Sequence, residues 1–73
     1  MSLKLLHLKI LGFLKTPRRP SSVAQHFGLS LQNCHQILKR FEREGIVEIH
    51  WVEEKKFYQC DFHKLVDELK NQQ

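Results

Sequence analysis

The stretch GLSLQNCHQILKRFEREG, residues 28–45, has two unlike sides. On a helix of about 3.6 residues per turn, Leu31, Cys34, Ile37, Leu38 and Phe41 gather on one side as an apolar stripe. Gln32, Asn33, Gln36, Lys39, Arg40 and Arg43 gather on the other. Amide side chains lie near the start of that polar face and cations towards its end. Ser30 is a good N-cap for the segment, and Gly45 stops it. The spacing predicts a helix over residues 31–44.

Working towards the N-terminus, Gly28 closes a shorter helix expected over 22–27. Val23, Ala24 and Phe27 point inward, and Ser22 caps it with Gln25 three residues on, a capping-box pattern. The preceding segment TPRRP disfavours helical continuation at Pro17 and Pro20. Before it, residues 2–15 read as a first helix with two apolar stripes: Leu3, Leu6, Ile10, Phe13 and Leu14 form one, Leu5, Leu8 and Leu11 the other. A helix apolar nearly all round is buried on more than one side.

Working towards the C-terminus, the period changes to two after Gly45. Val47, Ile49 and Trp51 alternate with Glu48, His50 and Val52. EEKK forms a charged tip, and KFYQC returns, so a hairpin is expected over 46–60. With Val52 paired to Phe57, Trp51 faces Tyr58 and Ile49 faces Cys60 on the inner side. The tip has neither Gly nor Asn, which favours a loop longer than two residues. Asp61 caps a last helix over 62–71, with Phe62, Leu65, Val66 and Leu69 on one stripe.

The chain has 73 residues, the length of one domain. A domain this short buries only about 60% of its unfolded surface. The net charge of +4 and pI near 9.3 favour a polyanionic partner. No apolar run reaches the roughly 20 residues of a membrane span. Lys4 and Lys9 interrupt the N-terminal run, and no small-residue cleavage site follows, so it reads as a helix of the mature fold and the protein as cytoplasmic. Two cysteines are too few for a disulfide framework.

The expected fold class is mainly α with a small β-hairpin, in the order α-α-α-β-β-α over one domain, residues 1–73. Two helices joined by the tight turn GLS make a helix-turn-helix, and the hairpin after it is a wing. The run VAQHFGLSLQNCHQILKRFEREGIVEIHW resembles the winged helix-turn-helix of prokaryotic regulators of the MarR and ArsR type. Those carry a small-residue helix, a G-L-S turn, then a recognition helix ending K-R-L-E-x-x-G-L-V, which LKRFEREGIV at 38–47 fits closely. The resemblance covers residues 21–60 well and the flanking helices only in kind. It implies a sequence-specific double-stranded DNA-binding protein that regulates transcription, with residues 31–44 in the major groove.

On that reading Gln32, Asn33 and Gln36 are the candidates for base contact, because amides pair bidentately with adenine. His35 sits at the edge of the same face. Ser30, Lys39, Arg40 and Arg43 are candidates for the DNA backbone, as are Lys55 and Lys56 at the wing tip and Arg18 and Arg19 before the second helix. Leu5, Leu8 and Leu11, with Leu65 or Leu69 of the last helix, form the expected seam of a homodimer, since a large exposed apolar patch marks an interface.

Two other readings stand beside this one. A winged-helix protein-interaction module uses the same fold, and Val52 and Phe57 on the outer hairpin face would serve it. A metal- or redox-responsive ArsR-like repressor would use Cys34, or Cys60 with His63 as half of a site shared between subunits. However, Cys34 falls on the core face, and four ligands at zinc spacing are not evident. No metal or other cofactor is therefore expected. No nucleophile–base pairing or phosphate-cradling glycine loop is visible either, so the chain does not read as an enzyme.

Overall fold

The computed structural model describes residues 3–71. Four helices and one antiparallel hairpin follow in the order α-α-α-β-β-α: α1 (Leu5–Phe13), α2 (Pro20–Phe27), α3 (Leu31–Glu44), β1 (Val47–Val52), β2 (Lys55–Cys60) and α4 (Phe62–Asn71). This is the α+β winged-helix architecture. No helix among the described residues is long and apolar enough to cross a membrane.

The local signals around α3 act as read from the sequence. The Asn33 N–H donates to Ser30 Oγ at 3.1 Å, capping the helix start. Gly28 and Gly45, at φ 65° and 75°, take the left-handed conformation that ends α2 and α3. In the GLS turn the Leu29 N–H reaches back to the Ala24 carbonyl at 2.9 Å. At α4 the Lys64 N–H donates to Asp61 Oδ1 at 3.2 Å.

Three local expectations are corrected. First, α1 is shorter than 2–15; Ser2 lies outside the described residues. Second, α2 begins at Pro20 with Arg19 as its N-cap and no side-chain cap. Proline at the first helical position has its φ preset and no N–H to satisfy. It therefore starts the helix two residues early, and Ser22 lies inside the first turn rather than capping it.

Third, the hairpin turns on two residues. Glu53 and Glu54 take φ of 51° and 68°, so both central residues are left-handed, as in the primed turn that matches strand twist. Each costs roughly 1–2 kcal/mol for a non-glycine residue. The six-residue ladder over-determines the turn. Its register pairs Val47 with Cys60, Ile49 with Tyr58, Trp51 with Lys56 and Val52 with Lys55, two residues away from the expected pairing. Trp51 therefore does not face Tyr58, and it lies out in solvent.

The segment between α1 and α2 adds a short third edge to the sheet. Arg18 and Tyr58 exchange backbone hydrogen bonds of 2.9 and 2.8 Å, and the Cys60 N–H donates to the Leu14 carbonyl at 2.8 Å. The core unites Ile10, Leu11 and Leu14 of the first helical segment with Val23 and Ala24, Cys34, Leu38 and Phe41, Ile46 and Val47, Tyr58 and Cys60, and Leu65.

The buried stripe of α1 also differs from expectation. It runs through His7, Ile10, Leu11 and Leu14, an i, i+3, i+4, i+7 series. Leu6 lies more than a third exposed, whereas Leu11 is wholly covered by its own chain. The inner stripe passes through a histidine, which residue polarity hides. In α4 only Leu65 is buried; Phe62, Val66 and Leu69 are exposed.

Candidate nucleic-acid interface

The polar side of α3 faces outward over its whole length. Gln32, Asn33, His35, Gln36, Lys39, Arg40 and Arg43 are all exposed, while Cys34, Leu38 and Phe41 anchor the opposite side in the core. The anchor fixes the helix about its axis, so the expected base-contact residues share one accessible surface. Leu31, placed on the buried stripe by its spacing, is half-exposed instead. It stands in the first turn beside the amides, and its spacing alone concealed it. The Ser30 hydroxyl accepts the cap bond and keeps its own proton free to donate.

Two elements flank α3. On one side the Cys34 thiol donates to the Pro20 carbonyl at 3.2 Å, pinning the start of α2 to the first half of α3. Arg18 and Arg19, both exposed, immediately precede that point. The Arg18 guanidinium lies 4.3 Å from the centre of the Phe13 ring. Phe13 also stacks on His26 at 4.2 Å, with 16° between planes.

On the other side the wing and α3 enclose an open trough of about 670 Å³, bordered by Gln36, Lys39, Glu42, Arg43 and Lys56. Thus four expected contact residues come together there with one acid that sequence reasoning did not single out. The Glu42 Oε1 receives Lys56 Nζ at 3.4 Å and the Tyr58 hydroxyl at 3.5 Å. Lys56 Nζ also stands 5.0 Å from the centre of the Tyr58 ring. Hydrogen bonding to Tyr58, reinforced by Glu42, holds the Lys56 ammonium above its ordinary pKa. Lys56 is therefore not a free cation at a tip: it braces the wing against α3. Lys55, opposite Val52, is exposed.

Both thiols are buried. Burial pushes Cys34 up, with the backbone of Ala24 opposing it through a hydrogen bond to the sulfur. Burial and then the Asp61 carboxylate push Cys60 up to about 11. Both therefore stay protonated near neutrality, whereas the thiolate is the reactive and ligating form.

Of the residues expected at a dimer seam, Leu11 and Leu65 are buried within their own chain. Leu5, Leu8 and Leu69 remain exposed, joined by Leu6, Phe62 and Val66.

No curated protein and no solved structure matches the chain. The segment that builds the exposed face, from the start of α2 through the turn and α3 into β1, is recognisable by itself: residues 19–48 match the family model of winged helix-turn-helix DNA-binding domains.

Proposed function

We propose that the protein binds double-stranded DNA sequence-specifically and regulates transcription as a small homodimer. One observation carries the reading: an anchored recognition helix whose exposed face runs from amides (Gln32, Asn33, Gln36) to cations (Lys39, Arg40, Arg43). Amides near the helix start suit adenine edges in the major groove, and cations towards its end suit phosphates. Ser30 at the start of the helix, and Arg18 and Arg19 just before α2, contact the flanking backbone. The wing lies along the strand on the other side. Within the winged helix-turn-helix class, the resemblance of the G-L-S turn and LKRFEREGIV to the MarR and ArsR type supports a regulator of that kind.

A dimer is supported by the apolar side chains left uncovered on α1 and α4: Leu5, Leu6 and Leu8, with Phe62, Val66 and Leu69. A single recognition helix covers few base pairs, whereas a two-fold dimer reads half-sites about 34–36 Å apart. Selection of bound duplexes from a random pool tests the whole reading. The expected outcome is an enriched inverted repeat. Recovery of no sequence preference would overturn the specific-binding reading, and an asymmetric single site would overturn the dimer.

A further inference from the structure

We propose that the wing engages duplex DNA with its α3-facing side, through the Trp51 indole packed on a deoxyribose of the strand whose phosphates lie over Lys39 and Arg43. The inference rests on the DNA-binding reading above and adds a contact residue to it.

Trp51 is paired with Lys56 across the hairpin, so the two side chains leave the same face of the sheet. Lys56 reaches Glu42 of α3. This identifies the shared face as the one turned towards the recognition helix. Along that face burial falls off stepwise. Tyr58 is buried and its partner Ile49 half-buried, but Trp51, one pair further out, is 65% exposed. The indole therefore stands exposed beside Lys56, which borders the trough, just beyond the protein's own cover.

Charge selects the occupant. Lys39, Arg43 and Lys56 border the trough against a single acid, Glu42, which already receives Lys56 and the Tyr58 hydroxyl. A site with surplus cations and an exposed indole on the adjoining face fits a polyanion that carries apolar edges. A sugar–phosphate strand is such a polymer, with anionic oxygens at each phosphate and C–H groups on each sugar between them. The end of the wing, in contrast, is closed by Glu53 and Glu54. Phosphates on either side of a groove would repel these carboxylates, so the tip stays out and the flank of the wing makes the contact.

Trp51 is the chain's one tryptophan, and its emission reports this site alone. The contact is to the strand rather than to bases, so a random-sequence duplex at low salt is a sufficient probe. Binding is followed by anisotropy of a fluorescein-labelled duplex and, in parallel with unlabelled duplex, by Trp51 emission and its quenching by acrylamide. Over the range in which anisotropy rises, Trp51 emission should change and acrylamide accessibility should fall. Trp51→Ala should weaken binding about 3-fold or more, through loss of the apolar indole surface that the sugar removes from water. Trp51→Phe should retain most of the affinity. The side chain is exposed, so neither substitution empties the core, and far-ultraviolet dichroism verifies the fold.

A rise in anisotropy with unchanged Trp51 emission and accessibility overturns the contact and leaves DNA binding standing. No rise in anisotropy removes DNA binding, and the contact with it. Protection of Trp51 that grows with protein concentration in the absence of DNA assigns the wing to a second copy of the chain, which also overturns the proposal.

Discussion

Replacing His7 with leucine should make the protein more stable, and increasingly so as the pH falls. His7 lies on the buried stripe of α1 at 7% exposure, edge-on to Phe41 with ring centres 5.8 Å apart and 87° between planes. Its Nδ1 is buried and meets no hydrogen-bond partner. Burial, then Arg40 and Lys4, lower its pKa from the ordinary 6.5. Below that value the unfolded chain binds a proton that the folded chain resists. Stability contributed by the neutral ring is thus complete above pH 6.5 and declines as the pH falls towards the lowered folded value. One proton bounds the slope at about 1.4 kcal/mol per pH unit. Leucine also removes the orphaned nitrogen, worth roughly 1–3 kcal/mol, and forfeits the ring pair, worth roughly 0.5–1.5 kcal/mol. The net gain is about 1 kcal/mol at neutral pH. For a domain of this size each kcal/mol raises Tm by roughly 4–8 °C. Thermal unfolding followed by dichroism at fixed protein concentration, on either side of pH 6.5, measures both effects. A His7→Leu variant no more stable than the parent, or with the same loss on acidification, would refute the reasoning.

Other substitutions probe the surface and the turn. Leu5→Glu with Leu8→Glu should leave a folded monomer by sedimentation, because both side chains lie outside the core; an unchanged association state would exclude α1 from the seam. Gln36→Ala should cost about 1–3 kcal/mol on the selected duplex and relax one base position. Arg40→Ala should weaken all sequences alike and reduce the salt dependence by about one unit, so parental binding by both variants would mean that the recognition face is misassigned. Glu53→Asn with Glu54→Gly should stabilise the hairpin by roughly 1–2 kcal/mol, because glycine removes the penalty at one left-handed position and asparagine tolerates the other, read as a higher Tm; a lower Tm would show that the carboxylates serve the turn.

What the sequence determined by itself is whatever depends on neighbours a few residues apart. The helix over 31–44 follows from a 3.6-residue period between Ser30 and Gly45, and both ends are set by bonds within one turn. The change to period two, the Asp61 cap and the G-L-S turn are equally local, and they suffice for the order of elements. The outward amide and cation face of α3 was legible too, because the opposite stripe carries Cys34, Leu38 and Phe41. Leu31 misled, since spacing records direction and not how far the covering elements extend.

Contacts distant in the chain decided the rest. Two apolar stripes on α1 left open which one turns inward, and the stripe that does includes a histidine whose ring meets Phe41 of α3. The hairpin register is hidden from the sequence because a two-residue turn without glycine is costly taken alone. In the fold, ladder bonds and the backbone pairing of Arg18 with Tyr58 outweigh the strain at Glu53 and Glu54. That two-residue shift decides the wing's chemistry: it sets Trp51 opposite Lys56, and it brings Lys56 onto Glu42, fourteen residues earlier in the chain.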